Sequence, residues 1–317
     1  MVLKTLKSCV IRRLSPIRPS SFDVSRCEAG RHDAPAGPGA AAWPRRGAGL
    51  LVRIGAPPLR SRLAVCQGDN SRGPDVPYAT ICKGCWQQKR IPIPLGGALS
   101  LPLRAVGIRR SRMNPNTCTI CETMFERMMK ARTIAVDGTI LFADLRAYAS
   151  LSQTLAPAEM SRLLDAFYDV CATAIWAHDG LLNKTIGDAV MAVFNFPLRQ
   201  ADQLAQAVAA ARDIRRHFAE SGGPLGEISA AAGTDLGVGI GIDTGELSFG
   251  EFGNTHRDVT AIGTVVNRAA RIQAAAERGQ ILLTEATHRA LGEHAGATQS
   301  AEHTLKGFDR PIRLYAL

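Results

Sequence analysis

From residue 133 to the C-terminus, apolar positions fall into short blocks whose period switches between two and nearly four. Thr139-Ile-Leu-Phe-Ala-Asp144 is an almost unbroken apolar run, which predicts a central strand. Between residues 157 and 178, Met160, Leu164, Phe167, Cys171 and Ile175 share one face of a predicted helix. Residues 181–185 and 189–194 predict two strands joined by a tight turn at Gly187-Asp188. Residues 200–220 form a second amphipathic block, stopped by Gly222-Gly223, and 235–242 predict another strand. The order βαββαβ is the ferredoxin-like arrangement of an α+β domain. Additional elements follow: a strand at 259–262, a helix at 265–276, a strand at 280–284, and a closing strand in the tail from Leu305-Lys-Gly307 to Tyr315.

The front of the chain lacks this patterning. Residues 1–75 are rich in Arg, Ala, Gly and Pro without a sustained period, and are expected to be a disordered N-terminal extension. Residues 76–132 carry two Cys-x-x-Cys pairs and a short predicted helix over 122–132. Three segments are therefore expected: 1–75, 76–132 and 133–317.

Charge sharpens that division. Residues 1–116 hold 20 Lys and Arg against 5 Asp and Glu, whereas 117–317 hold 18 against 23, so the net +10 belongs to the front. The basic segment lacks the interleaved aromatics of a base-stacking platform, so nucleic-acid binding is not expected. No apolar run reaches the roughly 20 residues a membrane span needs. The first residues mix Arg, Lys and Ser with few acids, as transit peptides do, but no apolar core with a cleavage site follows. A cytoplasmic location is expected.

Several polar residues stand where strands end or turns begin. Asp144 closes the central strand, and backbone N–H groups just after it can hold phosphate oxygens; a helix-capping Asp is the plainer explanation. Asp188 sits in the Gly-Asp turn, a place Asp also favours for local reasons. Two carboxylates that converge suit a pair of divalent cations acting on a nucleoside triphosphate. Lys184 lies four residues before Asp188, and Thr260 lies on a later strand. Asn267 and Arg271, at i and i+4, share a helix face, which is also what an ordinary solvated stripe looks like.

Jointly, these residues resemble the catalytic domain of class III adenylate/guanylate cyclases over about residues 133–317. Phe-Ala-Asp144 resembles the family's first metal aspartate, and Lys184-x-x-Gly-Asp188 its adenine-selecting lysine and second metal aspartate. Gly239-Ile-Gly-Ile-Asp-Thr-Gly245 resembles the glycine-rich strand, Thr260-Ala-Ile-Gly263 through Asn267 and Arg271 the transition-state segment, and Leu305-Lys-Gly307 the C-terminal signature. The resemblance implies an adenylate cyclase making 3′,5′-cyclic AMP from ATP with two Mg²⁺ or Mn²⁺ ions at Asp144 and Asp188. It implies Asn267 and Arg271 as catalytic residues, with Lys184, Thr260 and the flanking Phe142, Ala143, Leu145 and Arg146 binding substrate. It further implies a homodimer whose sites lie between the two chains. A guanylate cyclase, or a silent cyclase-like signalling module, is the alternative. Three departures stand out: Thr260 where many members carry Asp, Thr264 where an acid is common, and Ala147-Tyr-Ala149 where Gly-Phe-Thr is usual.

The eight cysteines do not read as a disulfide framework. Cys82, Cys85, Cys118 and Cys121 can make a four-thiolate Zn²⁺ site, although the gap between the pairs exceeds the usual spacing of roughly 15–20 residues. An iron–sulfur cluster, a redox switch or free thiols remain open alternatives.

Overall fold

The structure, a computed structural model, describes residues 78–317 apart from 132, 221, 222, 254, 256, 257 and 297. The expected disordered extension at 1–75 lies outside the described residues. All described residues belong to one unit, Cys66–Leu317.

The described residues begin with α1 (Lys83–Lys89), α2 (Leu101–Ala105) and α3 (Thr119–Ala131). The central strand β1 (Ile134–Arg146) leads to a single turn, α4 (Tyr148–Leu151), and to the long helix α5 (Pro157–Ala177). The hairpin β2 (Leu181–Ile186) and β3 (Ala189–Phe194) precedes α6 (Gln203–Ala219) and α7 (Pro224–Ala232). Then come β4 (Gly237–Phe252), β5 (Asp258–Ile262), α8 (Thr264–Ala275), β6 (Ile281–Thr284), α9 (Glu285–Leu291), β7 (Gln299–His303) and β8 (Ile312–Ala316).

One sheet runs β2-β3-β1-β4-β6-β8-β7, with β5 added to the far end of β4. Its first four strands are the ferredoxin-like core. The β4–β6 pairing is parallel and the others are antiparallel.

β1 is central, and its side chains alternate between two hydrophobic layers. Leu141, Ala143 and Leu145 join the layer of α5 and α6, with Phe167, Ile175 and Val208. Ile140 and Phe142 join the opposite layer, with α3, α8 and the cysteine segment, including Phe125, Val265 and Cys118. On α5 it is Leu163, not Leu164, that is fully buried.

Most expected elements are present, with changed ends. β4 extends well beyond the expected 235–242, because glycines at 239, 241, 245 and 250 hide its alternation. Those glycines are partly a packing requirement. A Cβ on Gly241 would drive into the backbone of α8 at Ala269 and Gln273, and one on Gly239 into the Arg146 guanidinium. α7, α9 and β7 carry too weak a pattern to be predicted; β7 is almost wholly exposed. Leu305-Lys-Gly307 is a loop with Leu305 buried, so the closing strand is only Ile312–Ala316.

Candidate active site

The two aspartates converge because of strand register. Asp144 lies opposite Ala189 on β3, one residue past Asp188, and the Leu145 N–H donates to the Asp188 carbonyl (2.9 Å). Asp144 is half-buried and faces the α8 side. Burial, and then the neighbouring Asp188 carboxylate, raise its pKa above the usual carboxylate range. Arg146 opposes this: its Nη1 stands 3.1 Å from Asp144 Oδ2, and its Nη2 donates to the Gln273 carbonyl on α8 (2.6 Å). Arg146 Nε and Gln273 Nε2 are buried without a hydrogen-bond partner among the described residues. The Gln273 amide still favours ionised Asp144 through proximity. Two carboxylates forced together at the end of a buried strand favour a bound cation, so the donor set fits divalent metal.

The residues flanking Asp144 are held by the sheet. Phe142, Ala143 and Leu145, expected to touch substrate, are buried in the two hydrophobic layers. Their backbones are paired with β3 and β4, and Leu145 N–H is bonded to Asp188. They hold Asp144 in place. Arg146 is likewise committed to Asp144 and Gln273. The free donors come next: the N–H groups of Ala147, Tyr148, Ala149 and Ser150 donate to no acceptor among the described residues. Ala147 has φ 71°, the left-handed region, at the position where the family usually has Gly.

A second group forms where β2 meets β5. Lys184 pairs with Asp258, two residues before Thr260. Asn183 Nδ2 donates to the Val259 carbonyl (3.2 Å), and Thr260 Oγ1 donates to Asn183 Oδ1 (3.4 Å). Lys184 and Thr260 are thus brought together through Asn183 and Asp258. Neither of these two connecting residues was predicted, and only their adjacency in sequence to Lys184 and Thr260 hinted at them.

Asn267 and Arg271 lie on the exposed face of α8, whose other face buries Val265, Val266, Ala269, Ile272 and Gln273. Among the described residues neither makes a side-chain hydrogen bond or ion pair. Arg268, between them, is committed inward: its Nε pairs with the fully buried Asp243, which also accepts from Thr284 Oγ1 (3.1 Å) and Thr287 Oγ1 (2.8 Å). Asp243 is a structural ion-pair residue hidden in the glycine-rich run.

The four cysteines of the pairs also come together. Their Sγ atoms all lie within 4.8 Å of one another, with separations of 3.6 Å for Cys82–Cys121 and Cys85–Cys118 and 3.5 Å for Cys85–Cys121. None is in a disulfide. Hydrogen bonds from the Cys121 and Cys82 thiols pull the Cys118 pKa down, while hydrogen bonding to Cys118 and then Cys82 pushes the Cys121 pKa up, and burial raises that of Cys85.

This strand order with a convergent aspartate pair defines an α+β domain whose carboxylates can hold divalent metal. Residues 133–317 match the Adenylate and Guanylate cyclase catalytic domain, and the chain belongs to that family. Members of this class generally use Mg²⁺ or Mn²⁺. An adenylate cyclase of Anabaena cylindrica is 37% identical over 162 residues, covering 48% of this chain and 30% of that protein. An uncharacterised protein of Mycobacterium tuberculosis is 33% identical over 195 residues, covering 62% and 45% respectively. The chain thus spans less than half the length of these curated relatives. Among solved structures, the adenylyl cyclase CyaB from P. aeruginosa is similar with TM-score 0.52 and 28% identity, covering 58% of this chain and 95% of that one. A guanylyl cyclase structure is similar with TM-score 0.53 and 27% identity, covering 58% and 92%. Among the described residues no helix is long and apolar enough to cross a membrane.

Proposed function

We propose that this chain is an adenylate cyclase, converting ATP to 3′,5′-cyclic AMP and pyrophosphate at sites shared by two copies of the chain. The observation that carries the reading is the separation of two half-sites. Asp144 and Asp188 converge at one edge, while Asn267 and Arg271 face outward on α8 with nothing to bind within the described residues. An isologous dimer supplies each half-site with its complement.

Asp144 and Asp188 would hold two Mg²⁺ or Mn²⁺ ions, which when bound acidify the ribose 3′-hydroxyl and neutralise the triphosphate. The unpartnered N–H groups of Ala147 to Ser150 donate to phosphate oxygens. Asn267 of the other chain orients the ribose, and its Arg271 meets charge growing on the α-phosphoryl oxygens. Lys184 only donates, so it suits adenine N1 and opposes the guanine N1–H; Thr260 accepts from the adenine amino group. Asp258 holds the Lys184 ammonium beside Thr260 for this purpose. The reading includes a single Zn²⁺ held by Cys82, Cys85, Cys118 and Cys121, and a cytoplasmic location suited to ATP and reduced thiols.

Measuring turnover of ATP and of GTP by the full chain, with Mn²⁺ or Mg²⁺ in excess, tests the assignment. ATP is expected to be the preferred substrate. A preference for GTP supports the guanylate cyclase reading instead, and absence of both activities supports a silent module.

A further inference from the structure

The cysteine segment is built against one corner of the catalytic domain, and that corner leads directly into the hairpin bearing Lys184 and Asp188. α5 ends at Ala177, and the chain reverses through Asp179, which has φ 58°, and Gly180 into β2. No larger residue than glycine fits at 180, because a Cβ would meet the Phe194 ring at 2.7 Å and Ile175 at 2.8 Å. The cysteine segment adds its own bonds to this corner. Asn116 Nδ2 donates to the Trp176 carbonyl (3.0 Å) and to Asp179 Oδ1 (2.6 Å), and Asn114 Nδ2 donates to the Gly180 carbonyl (3.0 Å). In return Trp176 Nε1 donates to the Met113 carbonyl (2.8 Å), and Lys83 pairs with Asp179.

Asn114 and Asn116 are almost wholly buried, and the turn they form is tied to the cysteines on its other side. Lys83 N–H, next to Cys82, donates to the Asn116 carbonyl (2.9 Å), and Thr117, next to Cys118, donates to the Asn114 carbonyl through both N–H and Oγ1. The asparagine turn is therefore clamped between the thiol cluster and the α5–β2 corner.

The thiol cluster has the size of a single metal ion. A tetrahedral zinc with bonds of about 2.3 Å places its sulfurs about 3.8 Å apart; three of the six sulfur pairs here are 3.5–3.6 Å apart and all lie within 4.8 Å. Multi-iron clusters spread their cysteines more widely than that. Cys85 N–H donates to Cys82 Sγ (3.4 Å), which orients that sulfur, and a Cβ at Gly84 would come within 2.9 Å of Cys121 Sγ, so glycine keeps the centre open. Four thiolates this close, three of them at buried cysteines, repel one another unless a cation lies among them.

We propose that one zinc ion in this four-cysteine site acts as a clasp that holds the α5–β2 corner, and through it sets the position of the β2–β3 hairpin with Lys184 and Asp188. The path is short: four sulfurs, the Asn114–Asn116 turn, Asp179-Gly180, then β2. A second tie runs along α5, where Tyr168 Oη donates to the Gly187 carbonyl at the hairpin tip, next to Asp188. The proposal rests on the zinc and cyclase readings above, and its test separates the three.

Full-length protein purified under reducing conditions is analysed for metal, then stripped with a zinc-selective chelator in excess Mg²⁺. Hydrogen exchange across 181–191 and cyclase activity are followed before and after, and again after adding zinc back. About one zinc per chain is expected, with exchange of the hairpin amides rising tenfold or more on removal, activity falling in parallel, and both returning with zinc. The doubly substituted Asn114→Ala, Asn116→Ala protein should keep its zinc yet show the same fast hairpin exchange, which separates loss of the clasp from loss of folding. Protein free of zinc, or with the cysteines paired as disulfides, overturns the metal reading. One zinc per chain with hairpin exchange unchanged on its removal, or unchanged in the double variant, overturns the clasp alone. A chain without cyclase activity leaves the metal and exchange measurements to decide, and removes only the cyclase reading.

Discussion

The Asp144 edge and the outer face of α8 both carry residues expected to act on the same substrate, yet they are built in opposite ways. Asp144 is half-buried, within electrostatic reach of Asp188, and answered by Arg146, which is itself bonded to α8. Asn267 and Arg271 are exposed and make no side-chain bond within the described residues. The first arrangement stores like-charge repulsion for a cation to relieve. The second leaves donors exposed at the surface, where they cost little stability. The contrast is what the proposed shared site requires: one region is prepared inside the fold, and the other would be completed by a second copy of the chain.

The strongest challenge to this contrast uses two inactive variants. Asp144→Ala and Arg271→Ala should each lose turnover by about 10²–10³-fold, Arg271→Ala without change in melting temperature. Mixed in equal amounts and allowed to exchange subunits, they should recover roughly a quarter of wild-type activity, since half the dimers keep one intact site of two. No recovery on mixing sinks the shared-site arrangement. Lys184→Glu comes next: it should shift the ratio of ATP to GTP turnover by about 10–10²-fold toward GTP. An unchanged ratio, measured as kcat/KM for each nucleotide, removes Lys184 from base selection.

A smaller effect tests the buried edge itself. Because the Asp144 pKa is raised in the folded state, ionising it costs stability as pH rises through the ordinary carboxylate range and up to the raised value. Asp144→Asn should therefore melt higher than wild type at neutral pH without divalent metal, with the gap closing as pH falls below that range. An equal or lower melting temperature at neutral pH would mean that the ion pair with Arg146 outweighs burial and Asp188. The smallest effect is local. Ala147 in the left-handed region carries strain of about 1 kcal/mol, so Ala147→Gly should raise stability slightly, less the entropy of the added glycine. A clear fall in melting temperature would show that this turn is not strained.

Much of this was legible in the chain, for reasons that differ by residue. The strand order could be read because β1, β3 and α5 bury strongly patterned faces. Asp144, Asp188, Asn267 and Arg271 stood at recognisable offsets in those elements. The two Cys-x-x-Cys pairs announced a cluster despite their long separation, and the structure closes it. What stayed hidden was held by long-range partners. Nothing local marks Asp258 as the partner of Lys184, or Asn114 and Asn116 as caps for a helix some 60 residues on. Arg146 reads as a substrate-facing cation until its guanidinium is seen lying over Gly239 toward α8. The extent of β4 was obscured by the very glycines that let α8 approach it.

That close approach has a consequence for how two sites in a dimer behave. α8 lies directly on β4 at Gly241, with no side chain between them to absorb movement. Its inner face meets Arg146 and the surroundings of Asp144 through Gln273, and its outer face carries Asn267 and Arg271. In a dimer with shared sites, the inner face borders one site and the outer face enters the other. The two sites would then be separated by the thickness of one helix, so nucleotide binding at the first is expected to alter affinity at the second, which a binding isotherm of the dimer would read as cooperativity.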